Sequence, residues 1–205
     1  MNVIVPQRLN LKRNDMNKNV LVSGHSGFLL RNTLKDLNWN IIDYNEFQEY
    51  SDIDLILHFA SPTDSYDFED KEKMARSMID YSLKIIDVSI RNNCKIIFAS
   101  SMAAEFLEDD YGIYKKSIEQ YIMGVNKNNL ILRIPRVYGK DKQKGLMKKI
   151  KLNNIDNWDK VIEYIDIIDF KDWFMSILNK TGIQYFNNEY RMNTIKELKE
   201  IYCES

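Results

Sequence analysis

VLVSGHSGF, residues 20–28, is the stretch that decides the fold of this chain. An apolar run from Val20 to Ser23 ends at Gly24, and Gly27 follows three residues later, where a helical spacing of apolar residues begins. This pattern predicts a buried strand, a tight turn and a helix. Backbone N–H groups at such a turn can hold a pyrophosphate, and glycine allows its close approach. The stretch therefore indicates a dinucleotide-binding unit.

Strand and helix patterns continue to alternate along the rest of the chain. The predicted strands are Val20 to Ser23, Asn40 to Asp43, Asp54 to Phe59, Lys95 to Ala99, Asn129 to Arg133 and Ile183 to Phe186. The predicted helices are Phe28 to Leu37, Lys71 to Arg91, Tyr111 to Val125, Asp169 to Leu178 and Thr194 to Tyr202. Such interleaving predicts an α/β fold with a doubly wound, mostly parallel, Rossmann-like sheet. We expect a polar arm over 1–19 and one domain over 20–205, in which 134–205 contribute a very small substrate lobe.

Composition excludes several classes of protein. The chain has 29 Lys plus Arg against 30 Asp plus Glu, a formal net charge of -1, which is unlike a nucleic-acid binder. The lysines between Lys140 and Lys151 are therefore expected on a solvated helix face. Cys94 and Cys203 have no metal-like spacing, so no metal site is expected and a reducing, cytoplasmic setting is predicted. We expect neither export nor a membrane span, because no small-residue cleavage site follows the first residues and no apolar run reaches about 18 residues.

An acidic residue closes the second predicted strand. Asp43 lies 19 residues after Gly24, where a carboxylate can accept hydrogen bonds from the adenosine ribose and repel a 2′-phosphate. This position favours NAD over NADP. Two glycines after a strand also make an ordinary turn, and Leu30 occupies the place of the third glycine of the usual fingerprint. Taken alone, the glycine signal therefore leaves both interpretations open.

A serine, a tyrosine and a lysine suggest proton-transfer chemistry. Tyr111 and Lys115 are four residues apart and share one face of a predicted helix, and an ammonium beside a phenol lowers the pKa of that phenol. Tyr138 and Lys142 have the same spacing, so the pair alone proves nothing. Tyr111, however, follows a strand that ends near Ser101, and active sites of parallel sheets lie beyond the carboxyl ends of strands. We therefore expect Ser101, Tyr111 and Lys115 to form one site.

Several segments together resemble the extended short-chain dehydrogenase/reductases, in particular the NAD-dependent epimerase/dehydratase group that modifies nucleotide sugars. The matching segments are Val20 to Phe28, Asp54 to Ser61, Lys95 to Ser101, Tyr111 to Lys115 with Glu119, Leu132 to Gly139 and Tyr164 to Asp169. The resemblance implies that Ser101, Tyr111 and Lys115 are catalytic. It also implies a set of cofactor-binding residues, namely Gly24, Ser26, Gly27, Phe28, Asp43, Ala60, Ser61 and Lys115. His25 and His58 are then expected to be turn or structural residues.

Departures from the family pattern narrow the predicted reaction. Met102 and Ala103 follow Ser101 where the dehydrating and decarboxylating branches place acidic residues. Ketone and alcohol interconversion, by 4-epimerisation or keto reduction, is therefore favoured. Ile162 stands where the family often has an arginine for the substrate diphosphate, and the segment after Gly139 is short.

Three residues are candidates for substrate contacts. They are Thr63, Asp64 and Arg136. Arg136 could supply a positive charge for an acidic substrate or serve as a surface ion-pair partner, and a turn at Pro62 explains Thr63 and Asp64 nearly as well.

Two functions remain open at this point. The first is an NAD-dependent epimerase or oxidoreductase acting on a nucleotide sugar or a related small molecule. The alternative is a catalytically silent dinucleotide-binding regulatory or scaffold protein, because the substrate lobe is short and the glycine fingerprint incomplete. A third hypothesis is a symmetric homodimer in which the partner completes the shallow site, through either the polar N-terminal arm or the Tyr111 helix.

Overall fold

Six parallel strands form the central sheet of the protein. The computed structural model describes residues 18–61 and 70–203. Within them the strands are β1 (Asn19–Ser23), β2 (Asn40–Asp43), β3 (Leu55–His58), β4 (Lys95–Ser101), β5 (Leu130–Ile134) and β8 (Gly182–Tyr185). Their order is β2-β1-β3-β4-β5-β8, and every neighbouring pair is parallel. The predicted fold class is confirmed, and each predicted strand is present with ends that differ by at most two residues.

The central strands are apolar because both of their faces are covered. Every residue of β3 and β5 is buried, as expected for parallel strands between two layers of helices. Val20 and Val22 pack on one side of the sheet and Leu21 on the other, following the two-residue period of a strand. The arm predicted for 1–19 lies outside the described residues, except for residues 18 and 19.

Helices cover both faces of the sheet. They are α1 (Phe28–Thr33), α2 (Lys71–Ala75), α3 (Tyr81–Asn92), α4 (Ala103–Phe106), α5 (Asp110–Val125), α6 (Leu146–Lys151), α7 (Ile167–Ile177) and α8 (Ile195–Cys203). Apolar side chains of α1 and α7 join the core on the side of Val20, whereas those of α2, α3 and α5 join it on the side of Leu21. The sheet is therefore doubly wound.

The helix predicted over Lys71 to Arg91 contains an irregular turn. Residues Arg76–Asp80 form a π-helical turn between α2 and α3. Met78, within this turn, is buried in the core together with Met74 of α2 and Ile85 of α3. The apolar pattern predicts the helix, but it does not reveal the wider turn because the buried face continues through it.

A second, smaller sheet was not predicted. It contains β6 (Val137–Tyr138), β7 (Val161–Asp166) and β9 (Arg191–Thr194), with β7 parallel to β6 and antiparallel to β9. Helices α6 and α8 pack on this sheet. β6 has two residues and β9 has no buried residue, so neither carries the alternation that identifies strands in a sequence. Asp166, at the end of β7, connects this sheet to α7 and α8. Its carboxylate caps α7 by accepting a hydrogen bond from the N–H of Ile168, and it accepts a 2.6 Å hydrogen bond from the Tyr202 hydroxyl of α8.

Candidate active site

The glycine turn lies where two neighbouring strands end. Gly24 has φ of +83°, and a Cβ at this position would lie 2.7 Å from the backbone nitrogen of Ala60, just after β3. The turn is closed by a 2.9 Å hydrogen bond from the N–H of Gly27 to the carbonyl of Gly24. A larger residue at Gly24 would therefore strain the backbone and push the turn away from β3.

The first helix begins without a side-chain cap. Gly27 is the N-cap of α1 and makes no capping hydrogen bond, and the first turn has no acidic residue. In α5 and α7, by contrast, Asp109 and Asp166 accept hydrogen bonds from the first-turn amides. His25, Ser26 and Gly27 are exposed at the turn. The turn thus offers exposed backbone and a positive helix end, which suit the pyrophosphate of a dinucleotide.

Asp43 lies at the carboxyl end of β2, next to the glycine turn. Its side chain is 68% exposed, and one carboxylate oxygen lies 3.1 Å from Nδ1 of His25. β2 is paired with β1 through Val22 and Asp43, which places the carboxylate on the same edge of the sheet as Gly24. An exposed carboxylate here fits the ribose hydroxyls of a dinucleotide.

Ser101 and Tyr111 meet beyond the carboxyl end of β4. The phenol of Tyr111 lies close enough to the side chains of Ser61 and Ser101 for hydrogen bonding with both to lower its pKa. Ser101 ends β4, Ser61 lies just beyond the end of β3, and Tyr111 stands in the first turn of α5. The Ser101 hydroxyl also accepts a 3.2 Å hydrogen bond from the N–H of Ala103. Two hydroxyls from neighbouring strands therefore hold the phenol at the edge of the sheet that also carries the glycine turn.

Lys115 lies one helical turn below Tyr111 and is 2% exposed. Its Nζ donates a 2.7 Å hydrogen bond to the carbonyl of Ala99. The same atom lies 4.7 Å from the centroid of the Phe98 ring and 5.7 Å from that of the Tyr111 ring. The structure thus places Lys115 beside Tyr111, between α5 and β4.

The expected lowering of the Tyr111 pKa is wrong for this structure. Burial raises the pKa of Tyr111, and the hydrogen bonds from Ser61 and Ser101 only partly oppose that effect. Burial also lowers the pKa of Lys115 to about 7, while the charge of Glu119 works in the opposite direction. Both shifts have one cause, because a low-dielectric surrounding disfavours the phenolate and the ammonium alike.

Of the three candidate substrate residues, the structure describes Arg136 alone. Thr63 and Asp64 lie outside the described residues. Arg136 is exposed, and its backbone carbonyl accepts a 2.8 Å hydrogen bond from Ile165 of β7. Ile162, at the place of the family arginine, is buried in the core of the small sheet.

A buried ion pair beside the site was missed by the sequence analysis. Arg133 of β5 and Glu119 of α5 have side chains that are each 1% exposed, and their closest atoms, Nη2 and Oε2, are 2.8 Å apart. Ser100 donates a 2.6 Å hydrogen bond to Glu119, and Arg133 also contacts Tyr185 of β8 and Glu105 of α4. An arginine inside the apolar run of β5 was the available signal, because such a residue needs a buried partner.

The lysines of residues 140–151 are mostly solvated, as predicted. Lys142 differs, because its Nζ donates to the carbonyl of Val137 and lies 5.5 Å from the Phe28 ring centroid. Burial lowers the pKa of Lys142 to about 8.

No helix in the described ranges is long and apolar enough to cross a bilayer. Residues 18–61 and 70–203 also contain no group of three or more His, Cys, Asp or Glu side chains placed to hold a metal ion.

His58 connects the end of β3 to the base of the glycine turn. One ring nitrogen is 2.7 Å from the hydroxyl of Ser23 at the end of β1, and the other is 2.8 Å from that of Ser82 on α3. Burial lowers the pKa of His58 to about 3. The ring is therefore neutral at physiological pH, which fits the structural role predicted for it.

Acid is expected to destabilise the protein through His58. In the unfolded chain the imidazole of His58 binds a proton below about pH 6.5, whereas in the folded protein it does so only near pH 3. The stability that comes from the neutral, buried His58 is therefore fully present above pH 6.5 and is lost as the pH falls towards 3. The loss should reach up to about 1.4 kcal/mol per pH unit within that window. Urea unfolding at pH 7 and pH 4.5 measures it. His58→Gln should be destabilised less at pH 4.5 than at pH 7, and an equal difference at both values contradicts the prediction.

The similarity of this chain to known proteins lies in its structure and not in its sequence. No family model and no curated protein matches the sequence. Solved structures do match. UDP-N-acetylglucosamine 4-epimerase from Methanobrevibacter ruminantium, solved with UDP-N-acetylmuramic acid, has a TM-score of 0.69 at 20% identity, over 90% of this chain and 81% of that one. The chain has the fold of nucleotide-sugar epimerases and reductases.

Two further structures of this fold carry nicotinamide cofactors. UDP-glucose 4-epimerase from Thermus thermophilus, in complex with NAD, has a TM-score of 0.70 at 15% identity. The match covers 91% of this chain and 82% of the epimerase chain. dTDP-4-dehydrorhamnose reductase from Bacillus anthracis, in complex with NADP, has a TM-score of 0.71 at 16% identity. The match covers 93% of this chain and 81% of the reductase chain. The fold implied by the resemblance to the extended short-chain dehydrogenase/reductases is therefore confirmed.

Proposed function

We propose that the protein is an NAD(P)-dependent epimerase or keto-reductase that acts on a nucleotide-linked sugar, with Tyr111 as the proton carrier. The observation that carries this proposal is the meeting of the Tyr111 phenol with the hydroxyls of Ser101 and Ser61, beside Lys115 and at the edge of the sheet that also carries the glycine turn. Proteins with the same fold include epimerases and reductases of UDP- and dTDP-sugars, which supports the choice of substrate class.

The glycine turn and its neighbours would hold the dinucleotide. Gly24, Ser26, Gly27 and Phe28 would surround the pyrophosphate, as the exposed amides and uncapped helix end allow. A second group would contact the two ends of the cofactor, namely Asp43 at the adenosine ribose, Ala60 and Ser61 beside the nicotinamide half, and Lys115 at its ribose. The bound nicotinamide ring would supply or accept the hydride.

The residues at the end of β4 would handle the proton. In the reducing direction the carbonyl carbon gains a hydride, and its oxygen takes the proton of the Tyr111 phenol. The oxidising direction reverses both transfers. Ser101 would hydrogen-bond the same oxygen, and a protonated Lys115 would stabilise the phenolate that forms. With a pKa of about 7, Lys115 can change its charge near neutral pH.

The acidic residue closest after Ser101 in sequence supports ketone and alcohol chemistry over elimination. Glu105 of α4 accepts a 2.9 Å hydrogen bond from Tyr185 and pairs with Arg133. It is therefore engaged away from the Tyr111 cluster. The substrate would be bound by the part of the chain over 134–205, with Arg136, Thr63 and Asp64 as the proposed contacts.

The proposal is tested by what the protein binds and converts. Mass spectrometry of the native protein should detect retained NAD or NADP, and turnover should appear in a panel of UDP- and dTDP-linked sugars and keto-sugars. Bound dinucleotide without turnover on the whole panel favours the silent regulatory or scaffold alternative. Failure to bind either dinucleotide contradicts both functions.

The choice of dinucleotide is expected to depend on Asp43. Its exposed carboxylate should repel the 2′-phosphate of NADP and accept hydrogen bonds from the ribose of NAD. Asp43→Asn should therefore raise the affinity for NADP relative to NAD by about tenfold, corresponding to about 1.4 kcal/mol. Fluorescence titration with both dinucleotides measures the ratio. Asp52→Asn, on an exposed loop, is the matched control, and an unchanged ratio in Asp43→Asn contradicts the assignment.

The homodimer remains a prediction. Exposed apolar side chains on α3 and α5 are available for such a contact, namely Leu83, Ile90, Ile113 and Tyr121. Sedimentation at micromolar concentration tests this assembly, and a purely monomeric protein contradicts it. The cytoplasmic setting is likewise proposed from the two cysteines, which are both free.

A further inference from the structure

Three polar residues of α5 contact β4 at successive helical turns. Tyr111, Lys115 and Glu119 are spaced by four residues and therefore share one face of the helix. The Tyr111 phenol lies close to Ser101 at the end of β4, and Lys115 donates to the carbonyl of Ala99 at 2.7 Å. Glu119 accepts the Ser100 hydroxyl at 2.6 Å. The face that carries the proposed proton carrier thus ends in a buried carboxylate.

Arg133 holds this carboxylate in place. Its Nε donates to Oε1 of Glu119 at 3.0 Å and its Nη2 donates to Oε2 at 2.8 Å, a two-pronged contact between a guanidinium and a carboxylate. Burial raises the pKa of Glu119, and the Ser100 hydrogen bond and the neighbouring ammonium groups oppose that rise. Oε2 also lies 3.8 Å from Nζ of Lys116. Because Glu119 is fixed from β4 and β5 at once, its negative charge stays at a constant position relative to Lys115.

We propose that Glu119 is a positioning residue that favours the protonated form of Lys115 beside Tyr111. This inference rests on the proposed function and extends it to a residue outside the reacting groups. A buried ammonium is unstable without an opposite charge nearby, and Ala99 offers Lys115 only a neutral carbonyl. Glu119 is buried one helical turn from Lys115 on the same face of α5, where its negative charge favours the charged form of Lys115.

The other groups around Lys115 do not replace Glu119. Tyr111 on the same helix is held neutral by burial, which raises its pKa. His58 on β3 is neutral at physiological pH. Arg133 on β5 and Lys116 on α5 are cations, and both contact Glu119. Loss of the Glu119 charge would therefore leave Lys115 among neutral and positive groups, and its pKa would fall below about 7.

Direct titration of Lys115 tests the inference. NMR of lysine-labelled protein, with the Lys115 signal assigned through Lys115→Met, should give a pKa that is lower in Glu119→Gln than in the wild type by about one unit or more. The fall of kcat with rising pH in keto reduction should move to lower pH by the same amount. Glu105→Gln is the matched control, because Glu105 also pairs with Arg133 but is 46% exposed. It should leave the Lys115 titration unchanged.

A double variant provides the same measurement if Glu119→Gln does not fold. If Glu119→Gln fails to fold because Arg133 is left partly unpaired, Glu119→Gln combined with Arg133→Met removes both charges and should give a downward shift. An unchanged Lys115 pKa in a folded variant overturns the inference. Because the NMR titration needs no substrate, a shift of the Lys115 pKa in a protein without turnover supports this inference while contradicting the proposed function.

Discussion

Replacing Tyr111 with phenylalanine is expected to lower kcat by about 10²- to 10⁴-fold, the usual contribution of a positioned acid or base. The ring and its packing remain, and only the hydroxyl shared with Ser101 and Ser61 is lost. Because the glycine turn and Asp43 lie on other strands, the affinity for the dinucleotide should change little. Steady-state kinetics on the best nucleotide sugar, with a parallel dinucleotide titration, measure both effects.

Tyr121→Phe is the matched control for this prediction. Tyr121 lies on the same helix and is 52% exposed, so the same chemical change falls outside the proposed site. Its kcat should equal that of the wild type. Full activity in Tyr111→Phe would show that the phenol carries no proton, whereas loss of dinucleotide binding in that variant would indicate a structural defect.

Replacing Arg133 with methionine should lower the free energy of unfolding by about 3–5 kcal/mol, the usual result of breaking a buried ion pair. The change leaves the Glu119 carboxylate buried without its guanidinium and also removes the contacts of Arg133 with Tyr185 and Glu105. Urea unfolding followed by circular dichroism measures the loss. Such a difference would exceed most effects of single substitutions.

Two variants define how much of this loss comes from the unpaired carboxylate. Arg133→Met combined with Glu119→Gln removes both charges and should recover a large part of the stability. Arg191→Met breaks a contact of similar length, 2.8 Å to Asp169, but Arg191 is 47% exposed, so it should cost less than about 1 kcal/mol. Equal losses in Arg133→Met and Arg191→Met would contradict the argument from burial.

The central sheet could be predicted from the sequence because its signals are local. Short apolar runs bounded by glycine and polar residues mark the strands, and their alternation with helices requires parallel pairing. Parallel pairing in turn places the strand ends at one edge, so the sequence alone predicts that Ser101 and Tyr111 meet. The contact of Tyr111 with Ser61 follows from the same rule, because β3 and β4 are neighbours.

Pairing and burial explain what the sequence did not predict. Arg133 stands out as a charge within an apolar strand, but nothing local identifies Glu119, Tyr185 and Glu105 as its partners. The predicted lowering of the Tyr111 pKa was also wrong, because burial raises it. The four-residue spacing indicates that an ammonium lies nearby, but it does not indicate how deeply the phenol is buried. The small sheet escaped prediction because β9 has only half-buried or exposed residues and β6 only two residues.

The position of β8 has a consequence for how the chain assembles. Among the strands of residues 18–61 and 70–203, β8 pairs with β5 alone and forms an edge of the central sheet, and residues 135–181 separate the two. Because β5 is synthesised before β8, the contact of Arg133 with Tyr185 can form only after the ribosome has added β8. Arg133 therefore acquires its last polar partner late in synthesis, and local opening of β8 would break that one contact first.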